Sequence, residues 1–549
     1  MSDTRYDAIV IGGGINGLTA AALLGQAGQR TLLVEMRDEV GGCAAERVIA
    51  PGFRVPALAH RSGPLRADVV ERLRLTEHGL SFVAQPYRCT ALLDDGRAMA
   101  LAHAPAAAAD AIRRVSTGDA EAWPGFVQSL DRLARVVGTL FARTPPDVDH
   151  PGAQDLWTLM RTLGAFRALP TDDAWRLLRW GPMAVADLVS EVFTHEAVRA
   201  AVAADGLLGG MFGPWSAGSG LQLLLHEANA AVGVARDTEV AGGPAAAAAA
   251  LARAARRHGV EVRTGTAVRQ IVIRNDRAAG VTLASGDTCL ARVVVSALDP
   301  RRTCLDLCEP EHVPPEFAWR IRHLRMRGTL AKVHLALSAL PAFGDATRAM
   351  LAGPVRIAPD LEYLERAFDH AKYGECSAAP WIEFTVPSLA DPTRAPAGAH
   401  VLSAYVQWVP GEGAAGSRQS PSPTPQAPSP TPHAPSPKSH APSPDRDAVL
   451  RTVLDTLERY APGLRAIVVQ AELITPTDME AGWGLTGGHI FHGELSLDQA
   501  FTMRPLLGWG RYATPISGLY LCGSGTHPGT GLTCGSGANA ARVVIDAAT

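Results

Sequence analysis

Apolar positions along the first forty residues fall into three short blocks. Ala8, Ile9, Val10 and Ile11 form an unbroken run, as expected of a strand buried on both faces, and residues 18–24 are helix-forming. A second run, Thr31-Leu-Leu-Val34, ends on Glu35. Further along, apolar residues at helical spacing predict helices over 127–140, 173–193 and 245–258. Strands are predicted over 260–263, 267–273, 279–283 and 293–296, then over 330–337, 381–386 and 401–408. A last strand at 519–522 leads into a helix over 538–547. This succession predicts a mixed α/β fold.

The turn between the first strand and its helix carries Gly12, Gly14 and Gly17 at G-x-G-x-x-G spacing. The three glycines supply a tight turn, backbone approach to a pyrophosphate and close packing of helix on strand. The helix opening beside Asn16 then points unpaired N–H groups at the phosphates. Glu35, about twenty residues on, can accept the ribose hydroxyl protons. Its charge disfavours a 2′-phosphate, so FAD or NAD is expected over NADP.

Two later stretches bear on the same site. Gly41 and Gly42 stand just past Glu35, where a loop can pass close to the nucleotide. Near the C-terminus the last strand runs into Gly523, Gly525 and Gly531. The G-x-G-x-x-A match at 535–540 follows a loop and has only nine residues after it, too few for a second nucleotide fold. The helix containing Gly537 is expected instead to aim its positive end at a group that becomes anionic, such as the N1/O2 edge of a reduced flavin.

At 549 residues the chain exceeds one ordinary core and is expected to hold two domains or interleaved halves. Its 51 basic and 54 acidic residues leave a net charge of -3, without the one-signed field that nucleic acid requires. No apolar run approaches the ~20 residues of a spanning helix. Met1 to Arg5 is too short for a secretion signal, so a cytoplasmic location is expected, with peripheral membrane contact left open. The eight cysteines include no C-x-x-C pair and no metal-ligand spacing, so neither a metal nor disulfide reduction is expected. Cys304 and Cys308 could share a helical face, where packing is the favoured role. Residues 411–446, rich in Ser-Pro and Thr-Pro, read as a disordered or polyproline II insertion.

Taken together, the stretches 206–214 (Gly-Leu-Leu-Gly-Gly-Met-Phe-Gly-Pro), Gly242-Gly243, 296–300 (Ser-Ala-Leu-Asp-Pro), 484–495 and 526–529 resemble the phytoene desaturase-like branch of the FAD-dependent oxidoreductases. The resemblance covers nearly the whole chain apart from the Pro-rich insertion. It implies FAD as the sole nucleotide cofactor. It also implies a Rossmann-like FAD-binding domain assembled from discontinuous segments, 1–65, 241–309 and 481–549. An interleaved α+β substrate domain, 66–240 and 310–480, would supply an apolar wall. Val268 is placed against the adenine side of FAD, and Gly523, Gly525 and the loop to Gly531 beside the ribityl chain and flavin. Cys43 departs from the arginine that many relatives carry.

The implied activity is removal of a hydride and a proton from an apolar or isoprenoid-like substrate, introducing or isomerising a C=C bond. Oxygen, a quinone or another acceptor would reoxidise the flavin. An amine oxidase-like flavoprotein and a catalytically silent FAD-binding scaffold are the alternatives. For acid–base chemistry the candidates are His489, His492 and His527, with a structural role in the glycine-rich loops favoured for each.

Overall fold

The protein is described by a computed structural model covering residues 5–59, 61–147, 150–411, 445–529 and 531–548. Two seven-stranded sheets organise it. In the first the order is Val268–Arg274, Arg277–Leu283, Thr288–Ser296, Arg5–Ile11, Thr31–Val34 and Glu261–Arg263. Leu519–Leu521 pairs in parallel with the end of Thr288–Ser296. The four strands from Thr288–Ser296 to Glu261–Arg263 are parallel, so both faces need cover. Alternation divides them. Ala8, Val10 and Leu33 pack beneath the helices Ile15–Gln26, Gly243–Arg257 and Gly535–Asp546, whereas Ile9, Ile11, Leu32 and Val34 join Ile271, Phe317 and Ile321 on the other side.

The second sheet runs Val468–Ile474, Leu330–Leu337, His400–Gln407, Trp381–Thr385, Val355–Ile357, Tyr87–Leu92 and Ala98–Ala102. One face is apolar: Val333, Leu335, Phe384, Leu402 and Val406 pack with Val449, Val453 and Leu457 of the helix Arg446–Tyr460. The opposite face buries Lys332, His334, Arg356, Glu383, Ser403, Tyr405 and Gln407. Strand register sets Lys332 opposite Tyr405, Tyr405 opposite Glu383, and Glu383 opposite Arg356, a polar row across four strands.

Several expectations shift. The helix expected over 173–193 is two, Thr171–Trp180 and Val185–Ser190. The break falls at Gly181-Pro182, where proline has no N–H to continue the ladder. The freed backbone bonds instead to the start of the helix Ser219–Val232, through Gly218 N–H to Pro182 O (2.9 Å) and Gly220 N–H to Met183 O (3.0 Å). The helix expected from 127 begins ten residues earlier, as Thr117–Phe141, with Ser116 capping Asp119 N–H. The terminal helix starts at Gly535 rather than 538.

Cys304 and Cys308 are buried in the apolar layer below the first sheet, and the Cys308 thiol donates to Thr303 O at 3.4 Å. Burial pushes both thiols up, Cys308 to about 12, so they are packed and unreactive. Most of the Pro-rich insertion, residues 412–444, lies outside the described residues. Its expected last residue, Arg446, instead opens the helix Arg446–Tyr460, which Asp445 caps.

A Cβ on Gly17 would stand 2.0 Å from Gly12 O, whereas one on Gly14 would meet nothing within 4 Å. Gly17→Ala is therefore expected to destabilise the cofactor-free chain by about 2 kcal/mol, within the usual range for overpacking. Gly14→Ala should leave its thermal transition close to wild type. Differential scanning calorimetry of the two variants checks the contrast.

Candidate functional site

A cavity of about 330 Å³ runs along the C-terminal ends of the parallel strands, the usual place for a ligand in such a sheet. Gly12, Gly14, Asn16, Gly17, Glu35, Gly41, Gly42, Val268 and Gly531 all line it. Gly12 turns the chain at φ 95°, its N–H bonded to Val34 O (2.8 Å). The helix Ile15–Gln26 begins at Gly14 with no side-chain cap, leaving N–H groups of its first turn for a phosphate. The Glu35 carboxylate is buried and held in place by two backbone donors, Gly13 N–H (2.6 Å) and Arg37 N–H (2.9 Å). Its remaining lone pairs can take ribose hydroxyls. Gly41 donates to Gly13 O (2.8 Å), and a Cβ on Gly42 would lie 3.2 Å from Gly14 Cα, so the second glycine pair packs directly on the first turn.

Gly523, Gly525 and Gly537 do not line the cavity. They stand behind its wall, where a Cβ would fall 2.5 Å from Ala297 O, 2.4 Å from Pro300 Cδ and 2.2 Å from Asn16 O respectively. The end of the terminal helix is likewise set back. Gly535 N–H bonds Thr533 Oγ1 and Gly537 N–H bonds Asn16 Oδ1, both at 3.2 Å. The wall itself is made by Ser524, Gly531, Leu532 and Thr533. Asn16 also donates to Ser524 Oγ (3.2 Å), and so ties the first helix to both the glycine loop and the last helix.

Of the three histidines, only His492 lines the cavity. His489 is buried, its Nδ1 accepting from Phe491 N–H (3.2 Å), and burial pushes its pKa down to about 3. His527 is wedged edge-on between Phe141 and Phe501, with Nε2 3.1 Å from Leu140 O, and burial pushes it down to about 3. Both are neutral packing groups.

The loop bearing His492 is instead organised by a buried arginine that the sequence reading passed over. Arg504 donates to the carbonyls of Phe491, Glu494, Gln499 and Ser524. It joins the 491–499 loop to the cavity wall.

The larger surprise is the far end of the cavity. Leu58, Leu208, Ile490, Phe491 and Leu495 form an apolar chamber, of which only Leu208 comes from the segments expected to supply an apolar wall, and its floor is charged. The helix Ser219–Val232 presents Gln222, His226 and Asn229 at i, i+4, i+7, while Asp205, Glu383, Tyr405 and Arg61 complete the lining. Arg356 is buried and binds Glu383 Oε2 (2.7 Å), Ala201 O (2.8 Å) and Asp205. Arg88 and Arg236 both pair with the buried Glu227, the latter at 2.7 Å. The cations hold Asp205 at about 2 and Glu227 below its usual range, against desolvation, which raises both. Lys332 Nζ lies 4.0 Å from the Tyr405 ring centroid, and burial drives its pKa well down.

These residues were missed because their strands are mostly apolar. A signal was present: Lys332 and His334, Glu383 and Thr385, and Tyr405 and Gln407 each alternate with apolar neighbours at a period of two. Asp205, His226 and Glu227 bring ligand atoms within 4.8 Å of one another, the spacing of a metal site. Arg356, Arg88 and Arg236 already neutralise both carboxylates, so the cluster lacks the free anionic ligands a cation needs.

Comparison with known proteins matches residues 15–415 to the flavin containing amine oxidoreductases. The chain belongs to that family. It is 32 % identical, over 98 % of its length and 93 % of the other's, to pyridine nucleotide-disulfide oxidoreductase domain-containing protein 2 of Rattus norvegicus. Phytoene desaturase (neurosporene-forming) of Cereibacter sphaeroides is more distant, at 25 % identity over 98 % of this chain and 95 % of that one. An oxidoreductase from Methanosarcina mazei shares the fold, with a TM-score of 0.58 and 16 % identity over 98 % of this chain and all of that one.

The protein is thus an FAD-dependent oxidoreductase of the flavin containing amine oxidoreductase family. The cradle fits the cofactor: open space at Gly14, uncapped N–H groups and an oriented carboxylate meet the needs of pyrophosphate and ribose. Glu35→Gln would weaken the orienting bonds and remove the charge that ribose hydroxyls favour. FAD affinity is expected to fall roughly 10- to 100-fold, the span of a charge-assisted hydrogen bond, as read by titrating FAD into the cofactor-free chain.

Proposed function

We propose that this protein desaturates an apolar, isoprenoid-like substrate and that His226 accepts the proton. The observation that carries this reading is the continuity of one cavity from the glycine cradle, through the apolar chamber, to His226 and Asp205. When bound, FAD supplies a hydride acceptor at N5. Forming a C=C bond also releases a proton from the neighbouring carbon, which needs a neutral base at the cavity surface.

His226 meets that need. No described residue hydrogen-bonds its ring, and burial together with Arg61 and Arg88 lowers its pKa, keeping the imidazole neutral. Asp205 and Glu227 act in the opposite sense and would stabilise the imidazolium once the proton arrives. An alkylammonium is less well served. Asp205 and Glu227 are already paired with arginines, so a cationic amine would find neither carboxylate free.

Anaerobic flavin bleaching against panels of polyenes, steroids and amines tests the reading, with reduction expected by the apolar C–H donors. Reduction by amines alone would establish the amine oxidase alternative. Because the base must be neutral, the rate of flavin reduction should be flat at high pH and fall as pH drops through the depressed His226 pKa. His226→Gln should slow reduction by about 10²- to 10⁴-fold and abolish that acid limb, with FAD content unchanged. Asp205→Asn, which removes a neighbouring negative charge, should move the limb to lower pH. An undiminished rate in His226→Gln would refute the assignment.

A further inference from the structure

The helix Ala153–Arg167 is amphipathic in the reverse sense. Its polar side faces the protein, with Asp155 bonded to Arg511 (3.0 Å) and Thr158 buried. Its apolar side faces out. Leu156, Leu159, Met160 and Leu163 form an i, i+3, i+4, i+7 stripe, exposed by 42–68 %, with Trp157 beside it at 51 %. The next helix, Thr171–Trp180, adds Trp175 and Leu178, both more than half exposed. An exposed apolar stripe of this kind on an enzyme surface marks a contact site.

Its charge says what the contact is. The guanidiniums of Arg143 and Arg161 lie 4.6 and 5.4 Å from the centre of the Trp157 ring. Partial burial lowers the pKa of Arg143, and the nearby charges of Arg161 and Arg542 lower it further. Among the described residues none of these three has an ion-pair partner. A second copy of the chain docking patch-to-patch would bring the two arginine sets together, which like charges oppose. Anionic phosphate headgroups would satisfy them, while the Trp and Leu/Met side chains enter the acyl boundary, the usual arrangement of an interfacial helix.

We propose that the Leu156–Leu163 face, with Arg143, Arg161 and Arg542, docks the protein on the surface of an anionic lipid bilayer. Insertion is shallow: among the described residues no helix is long and apolar enough to cross a membrane. The patch also adjoins the cavity wall. Arg66 N–H bonds Thr533 O (3.0 Å) on that wall, and Arg66 Nη2 bonds Ala142 O (3.2 Å), one residue before Arg143. A membrane-dissolved substrate would therefore be held on the side of the molecule where the cavity lies.

Flotation of the FAD-loaded protein with vesicles tests this without reference to turnover. The protein should float with equimolar phosphatidylcholine/phosphatidylglycerol vesicles, float less with phosphatidylcholine alone, and be released from the mixed vesicles by high salt. Replacing Leu156, Met160 and Leu163 together by Ser should lower partitioning roughly 100-fold, given the apolar area lost. Arg161→Glu should remove the preference for the anionic vesicles. Both variants alter exposed side chains, so the flavin spectrum should match wild type. A wild-type protein that stays below the vesicles would overturn the proposal. So would a lipid-free dimer that the triple variant splits into monomers, which would make the patch a self-interface.

Discussion

Arg356 sets the terms for the rest of the molecule. A guanidinium cannot be deprotonated in a protein and is expensive to bury, so this one must be met by oppositely charged groups from more than one layer. Glu383 meets it from the adjacent strand, Asp205 from the helical turn above, and Ala201 O from the preceding helix. Losing one such partner typically costs about 3–5 kcal/mol, since it strands a buried charge. The second sheet and the helical layer are thereby held in one register, and the cavity between them has a fixed polar floor.

That floor explains a contradiction in the molecule's chemistry. A chamber walled by Leu58, Leu208, Ile490 and Leu495 suits an apolar substrate, yet it ends among carboxylates, guanidiniums and imidazole. Nearly all that charge is spent internally. Glu227 is divided between Arg88 and Arg236, and Asp205 between Arg356 and Arg88, while the His226 ring, like that of His492, lines the cavity with no hydrogen bond among the described residues. The buried charges thus act on the neutral His226 ring beside them, as the proposed base requires.

The parts of this architecture legible in the sequence are those whose signal is local. Ala8 to Ile11, the G-x-G-x-x-G turn and Glu35 lie within thirty residues and carry their geometry in their spacing, and all sit where they were expected. The family resemblance places Gly523 and Gly525 beside the flavin, and Gly537 is expected in a helix end aimed at it. The structure shows that their close approach is to Ala297, Pro300 and Asn16, a distinction spacing cannot make. The polar row was harder still. Lys332, Tyr405, Glu383 and Arg356 come from four strands whose pairing is known only once the sheet is assembled. Each alone looks like an isolated polar residue in an apolar run. Pro182 marks a break that the apolar spacing on either side of it conceals.

Asn16 touches Gly537 across 521 positions of chain. The glycine turn shaped for a pyrophosphate is therefore completed only when the helix Gly535–Asp546, which fixes its far side, is in place. Without that helix the first βαβ unit carries an uncovered apolar face, since Ala538, Ala540 and Ala541 pack on it. A dinucleotide in that cradle would touch both the 12–17 turn and the 524–533 wall, and so serve as a closing bond of the fold as well as its reagent.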